Sequence, residues 1–372
     1  MSKKEWMKKN GAIVLIVVLA ILGVAAVVIA LLMPNIQGVR DDSQKYLSAG
    51  KHELTGEQEC VVVKTSGEIT LNLNNATITC ADGPAIYIEE AKSVTINLTG
   101  ENEINSTTTE ELDGAIYSTA DMILSGNGNL KVAANYDGIV SKDALVIICG
   151  KYEIESGDDG IRGKDYVVVR DGAFTIKAGG DGIKSSNDED AKLGYIEIDS
   201  GTFEIDADVD GIQAETDITI DGGEITINCG DDAIHADGKL AIKDGTIAVD
   251  ATEGLEATYI KIDGGKISIN ADDDGMNAGN KSNNYKVAIE INGGEITIKV
   301  GAGDTDAIDS NGDISISGGV IDITATSPFD YDGTAKYTGG TIIVNGETTN
   351  KITNQVIGPP AEAGGNKWRF NR

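Results

Sequence analysis

Ile205–Asn277 reads IDADVDGIQAETDITIDGGEITINCGDDAIHADGKLAIKDGTIAVDATEGLEATYIKIDGGKISINADDDGMN, and one pattern recurs through it. A short run of alternating apolar residues is followed by a glycine turn and a second run ending in Ala or Cys. An acidic turn then closes on Gly or Ala and an apolar residue. The closing turns are Asp210-Gly211-Ile212, Asp232-Ala233-Ile234, Glu253-Gly254-Leu255 and Asp274-Gly275-Met276, spaced 22, 21 and 21 residues apart. A fixed period of that length is the mark of a solenoid, in which each repeat buries its apolar face only against its neighbours.

Working outward, the same turn stands upstream at Asp113-Gly114, Asp137-Gly138-Ile139, Asp159-Gly160-Ile161 and Asp181-Gly182-Ile183. Downstream it stands at Asp306-Ala307-Ile308 and, less cleanly, at Asp332-Gly333. Where the spacing stretches, insertions account for it: Ser185–Leu193 and Asn280–Asn284. Insertions between intact repeats read as loops on one side of a stack.

Within each repeat the period is two. Ile218/Ile220, Ile225/Ile227/Cys229, Ile260/Ile262 and Ile267/Ile269/Ala271 alternate with polar residues, the pattern of strands with one buried face. No stretch after residue 46 shows a helical period. Such short strands are stable only when stacked, so the prediction is an all-β parallel β-helix of about ten turns, about 50 Å long at the usual strand spacing.

Composition narrows the function. The chain carries 60 acidic and 30 basic residues, a formal net charge of −30. Nucleic acid demands the opposite balance and is excluded as a partner; cations suit it. Residues 1–10 hold Lys3, Lys4, Lys8 and Lys9, and Gly11 to Met33 contain no charge. That length spans a bilayer core as a helix, and the lysines set its leading end in the cytoplasm. The expected organisation is a cytoplasmic tail (1–10), a transmembrane anchor (11–33), a linker (34–45), an extracellular β-helix (46–340), and a C-terminal cap with a disordered tail (341–372). The protein would then sit in the cell membrane as a single-pass protein, through an uncleaved helix rather than a removed signal.

The four cysteines form no metal motif. Cys229 takes the slot that Ala178, Ala207, Ala251 and Ala271 fill elsewhere, so the preferred reading is four small buried side chains. Cys60 and Cys80 lie about one turn apart, and stacking could bring them within disulfide reach.

Chemistry concentrates at the acidic turns: Asp158-Asp159, Asp208/Asp210, Asp231-Asp232, Asp272-Asp273-Asp274 and Asp304/Asp306. The strand leaving each turn runs apolar, polar, small. Its polar residues, Arg162, Lys184, Gln213, His235, Glu256, Asn277 and Asp309, should form one outward column beside an Asp ladder. Asp206, Asn228, Asp250 and Asn270 flank it on the preceding strands. Asp favours tight turns for its own reasons, which explains one per turn but not doublets and triplets in register. Two carboxylates one strand spacing apart repel by about 1 kcal/mol in water and about 3–4 kcal/mol at an effective dielectric near 20. A bound cation turns this repulsion into attraction, and hard oxygen ligands point to calcium. The candidate ligands are Asp206, Asp208, Asp210, Asp231, Asp232, Glu256, Asp272, Asp273, Asp274, Asn277, Asp304, Asp306 and Asp309.

The turn Gly230-Asp231-Asp232-Ala233-Ile234-His235-Ala236, alternating with Asp221-Gly222-Gly223-Glu224-Ile225-Thr226-Ile227, resembles a family of carbohydrate-binding domain-containing surface proteins, similar to family 9 pectate lyases. The resemblance runs from about residue 46 to 340. It implies a right-handed parallel β-helix with calcium along its Asp-rich side and an association with cellulose and pectin-type polysaccharides. It places calcium at Asp208, Asp210, Asp231, Asp232, Asp272, Asp273 and Asp274. Glu253 departs from the pattern.

The favoured function is non-catalytic, calcium-dependent binding of a polysaccharide such as cellulose or polygalacturonate, with calcium bridging protein and uronate carboxylates. The alternatives are a calcium-dependent lyase, with Arg162 or Lys184 as the base, and a structural surface solenoid. Arg162, Lys184, Gln213 and His235 would then face the sugar. Tyr166, Tyr195 and Tyr259 each precede an inward-pointing strand residue, and so should face outward on one flank, where they could stack on pyranose rings.

Overall fold

The computed structural model describes residues 46–301 and 305–354. The expected anchor at 11–33, its tail and linker, the segment from Gly358 and the candidate ligand Asp304 lie outside them. Among the described residues every regular element is a strand, and no helix is long and apolar enough to cross a membrane.

Each turn gives one strand to each of three parallel faces. Thr202–Ala207, Ile212–Ala214 and Ile218–Ile220 show the order within a turn. The strands equivalent to Ile212–Ala214 make up the site face, those equivalent to Ile218–Ile220 the second face, and those equivalent to Thr202–Ala207 the third. Every strand pairs with its counterpart one turn on: Ile212 with Ile234, Ile218 with Leu240, Ile205 with Ile227. One row of the second face runs Gly50, Ile69, Val94, Met122, Leu145, Val167, Ile196, Ile218, Leu240, Ile260, Ile289, Ile314, Ala335, which makes about 13 turns. Ten was too low because the early turns lack the acidic signature by which turns are recognised in the sequence. The stack is about 60 Å long at the usual strand spacing. It ends in a short antiparallel pair, where Glu347–Thr349 covers Thr341–Val344.

The alternation works as read. Along the site face Ile161, Ile183, Ile212, Ile234, Leu255, Met276 and Ile308 are fully buried, as are the small Ala214, Ala236, Ala257 and Ala278. Branched aliphatic rows fill a narrow interior with side chains that lose little rotamer freedom. One aromatic seam interrupts them: Phe174 stacks between Tyr152 (5.0 Å) and Phe203 (4.6 Å).

The glycine of the acidic turn is not there for a left-handed backbone. A Cβ on Gly211 would stand 2.4 Å from Ile227 Cγ2 and 2.6 Å from the Ala233 carbonyl of the next turn. Positive φ is instead used on the opposite corner, as at Gly223 (106°) and Gly245 (114°).

Cys60 and Cys80 are joined in a disulfide, their Cα atoms 4.9 Å apart, and the free Cys149 and Cys229 are half-buried, so the reading of four small buried side chains is corrected. The bond staples the first turn to the second, and its cause is register: the strand ending at Cys80 stacks on the one that precedes Cys60. Closing a loop of 20 residues should stabilise these end turns by about 3 kcal/mol. Cys60→Ser with Cys80→Ser should therefore raise amide exchange over Gly50–Cys80 and leave Ile212–Ile262 protected. Unchanged exchange at the end turns would contradict this.

Candidate functional site

The expected outward column exists in register. Arg162 pairs with Lys184, Lys184 with Gln213, Gln213 with His235, His235 with Glu256, Glu256 with Asn277 and Asn277 with Asp309. Beside it runs the ladder of inner aspartates, and its wiring was not foreseen. The Asp159 N–H donates to Asp137 Oδ1 (3.1 Å), Asp181 N–H to Asp159 Oδ1 (3.0 Å), Asp210 N–H to Asp181 Oδ1 (3.0 Å) and Asp232 N–H to Asp210 Oδ1 (3.0 Å). Each carboxylate thus caps the backbone of the following turn. Glu253 breaks the chain, its N–H going to the Asp231 carbonyl. The chain resumes where Asp306 N–H donates to Asp274 Oδ1 at 2.7 Å.

The second carboxylate oxygens meet the column, and here the ladder divides. Over its N-terminal stretch the protein supplies the positive charge. Arg162 Nη2 lies 2.5 Å from both Asp113 Oδ2 and Asp137 Oδ2, and Lys184 Nζ lies 2.5 Å from Asp181 Oδ2. His235 Nδ1 is 2.9 Å from Asp232 Oδ2 and 3.6 Å from both Asp210 Oδ2 and Glu256 Oε2, while its Nε2 is 3.3 Å from Asp237. Lys281, from the second insertion, reaches Glu256 at 2.7 Å. Burial alone would lower the His235 pKa, but the hydrogen bonds its ring donates to Asp210, Asp232 and Asp237 push it up to about 12. Burial raises Asp137 to about 7 against the pull of Arg162.

The C-terminal stretch holds no such cation. Among the described residues no lysine, arginine or histidine pairs with Asp274, Asp309 or Asp330. Burial, then the nearby Asp330, Asp306 and Asp332, push Asp309 up to about 7. Burial raises Asp274 to about 7 as well, with Asp309, Asp273 and Asp306 adding to it.

Two donor groups have ligand atoms within 4.8 Å of one another: Asp210/Asp232/His235 and Asp232/Glu253/Glu256. These acidic clusters could hold a metal ion. Chemistry weighs against them as they stand, since a protonated imidazole offers no lone pair and Lys281 already occupies Glu256. Asp274, Asp309 and Asp330 carry uncompensated carboxylate charge, the chemistry a hard divalent cation takes, but among the described residues their oxygens do not converge as those two groups do, and the Asn277 amide donates to Glu253 (3.1 Å) and Glu256 (3.3 Å).

The remaining candidates fall at varying distance from this ladder. Asp208, Asp231 and Asp272 are exposed at the corner leading into it, and Asp273 is half-buried there. Asp206 lies on the third face, where Asn228 donates to it (2.8 Å), and Asn270 donates likewise to Asp250 (3.1 Å). Tyr166 and Tyr195 stack at 5.0 Å on the edge of the second face, as alternation required. Tyr259 does not continue their stack: Asp217 and Lys239 occupy the two intervening turns. Its ring instead meets Tyr285, which directly follows the second insertion, at 6.2 Å. Sequence reasoning missed Tyr285 and Lys281 because an insertion has no register to extrapolate; only its break in the period marked it.

A family model described as carbohydrate-binding domain-containing protein matches residues 45–233 and again 228–355. No curated protein matches the chain. Among solved structures the chain is similar to one described as the polysaccharide lyase-like protein from C. thermocellum, determined as a gadolinium derivative. The TM-score is 0.46 at 27% identity, over 59% of this chain and 88% of that one.

Proposed function

Because the chain belongs to the carbohydrate-binding domain-containing family, we propose that it is a non-catalytic polysaccharide-binding protein, anchored in the cell membrane by residues 11–33 with its solenoid outside. Its acidic ladder takes uronate-type chains such as polygalacturonate through calcium shared between the glycan and the Asp274, Asp309 and Asp330 carboxylates. The observation that carries the reading is the uncompensated stretch of the ladder. A row of carboxylates without a counter-charge repels an acidic glycan, and a shared divalent cation joins the two. The neutralised stretch beside it, from Arg162 to Lys281, offers donors to the same chain.

The lyase alternative needs a neutral base in the column. Arg162 is held by Asp113 and Asp137. Lys184 is half-buried, which lowers its pKa, but Asp159, Asp181 and Asp210 outweigh this and hold it above its ordinary value. Both are protonated at neutral pH and cannot abstract a proton. Polygalacturonate incubated with the protein and calcium should bind and yield no ultraviolet-absorbing unsaturated product. Product formation that Lys184→Ala abolishes would establish the lyase. Binding of polygalacturonate that is the same in calcium and in chelator would remove calcium from the reading.

A further inference from the structure

The second insertion does more than connect strands. It is anchored on Thr258, whose hydroxyl accepts from the backbone of Lys281 (3.0 Å) and Ser282 (2.8 Å). It delivers Tyr285 back along the solenoid: the Tyr285 hydroxyl donates to Asp217 Oδ2 at 2.6 Å, and its ring meets that of Tyr259. Asp217 is itself fixed, accepting the Lys239 N–H at 2.9 Å. Tyr285 therefore stands over a row in which Tyr195, Asp217, Lys239 and Tyr259 follow turn by turn.

Spacing along this row leaves room for a ring. Tyr195 and Tyr259 are three turns apart, about 14 Å at the usual strand spacing. Tyr285 takes at most 6.2 Å of that. At least about 8 Å remains, which is two stacking contacts of about 4 Å each, one on either side of a saturated six-membered ring. One face of Tyr195 is covered by Tyr166, whereas the next turn beyond its other face brings Asp217 into register with it. Below the gap the Asp217 carboxylate can accept, and the Lys239 ammonium donate, hydrogen bonds with sugar hydroxyls.

We propose that the gap between Tyr195 and Tyr285 is a second glycan site, which clasps one neutral pyranose of a chain between two aromatic faces and needs no metal. The proposal rests on the polysaccharide-binding reading and adds a ligand class to it. The two stacking faces set the selectivity. Glu197 beside Tyr195 is met by Arg170 (3.8 Å), and Asp217 has Lys239 one turn on, so the place holds no unpaired cation for a uronate. A neutral ring presenting C–H groups to both faces suits it.

The test uses the full chain, with cellohexaose in chelator as the neutral probe and polygalacturonate in calcium as the acidic one, both followed by calorimetry. Tyr285→Ala and Tyr195→Ala should each weaken cellohexaose about tenfold, the equivalent of losing one good stacking contact. Tyr285→Phe keeps the ring face and should stay within about threefold of the parent. Polygalacturonate binding should be unchanged in Tyr285→Ala, which also serves as the folding control. Cellohexaose binding unaffected by both alanine variants overturns the site. Polygalacturonate binding with no cellohexaose binding overturns this site alone, and binding of neither probe overturns both readings.

Discussion

Replacing His235 with alanine should destabilise the protein by about 3–5 kcal/mol, the usual cost of removing one partner from a buried charge cluster. His235 is the only positive group within reach of Asp210, Asp232 and Asp237 together among the described residues, and its side chain is 18% exposed. Without it, carboxylates held in place by backbone hydrogen bonds are left facing one another, because Asp210 must stay where it is to accept the Asp232 N–H. His235→Lys should recover most of the loss, since Lys184 fills the same role at the column position preceding Gln213. The pH dependence separates charge from packing. The His235 pKa rises from about 6.5 unfolded to about 12 folded. Its contribution is therefore complete below about pH 6.5 and is lost as pH climbs toward the folded value. Urea titrations between about pH 7 and 10 should show parent stability falling with a slope that the alanine variant lacks. Parallel slopes for the two proteins would mean that the imidazole is merely packed there.

The faces of the solenoid were legible because alternation is local: Ile234, His235 and Ala236 announce inside, outside and inside without knowledge of their neighbours. The column from Arg162 to Asp309 was legible because a constant period fixes the register between turns. What stayed hidden depends on details that period cannot carry. The aspartates look alike in sequence, yet the inner one of each doublet spends one oxygen on the next turn's N–H, while Asp208 and Asp231 face solvent. The repulsion expected of the doublets is consequently offset by hydrogen bonds and by Arg162, Lys184 and His235 over half the ladder. Lys281 lies in an insertion and Tyr285 directly after it, so no spacing rule leads to Glu256 or Asp217. The Cys60–Cys80 bond needed the register of the first two turns, where Gly50–Gln58 and Glu68–Cys80 match through a bulge.

That division also decides where calcium should act most. Saturation of a site in the Asp274–Asp330 stretch at about 1,000 times its dissociation constant would add about 4.1 kcal/mol to stability, because the unfolded chain has no such site. Asp274 and Asp309 both have folded pKa values of about 7, raised from 3.8. A group raised in this way contributes stability that is complete below about pH 3.8 and lost as pH rises through about 7. In chelator the protein should accordingly weaken between about pH 4 and 7, as the two carboxylates are forced to ionise side by side. Calcium repairs that loss, so the rise in melting temperature on adding it should be large at about pH 8 and small at about pH 5. Magnesium should substitute poorly, since it demands a tighter octahedral shell. Asp274→Asn with Asp309→Asn should erase most of the calcium response. In chelator at the same alkaline pH the pair should melt higher than the parent, because it removes charge that nothing else compensates. Asp232→Asn should behave differently: it leaves His235 short of a partner and destabilises with or without calcium. An alkaline melt that is the same in calcium and chelator, or a double variant that loses stability equally in both, would leave the C-terminal stretch of the ladder as turn chemistry alone.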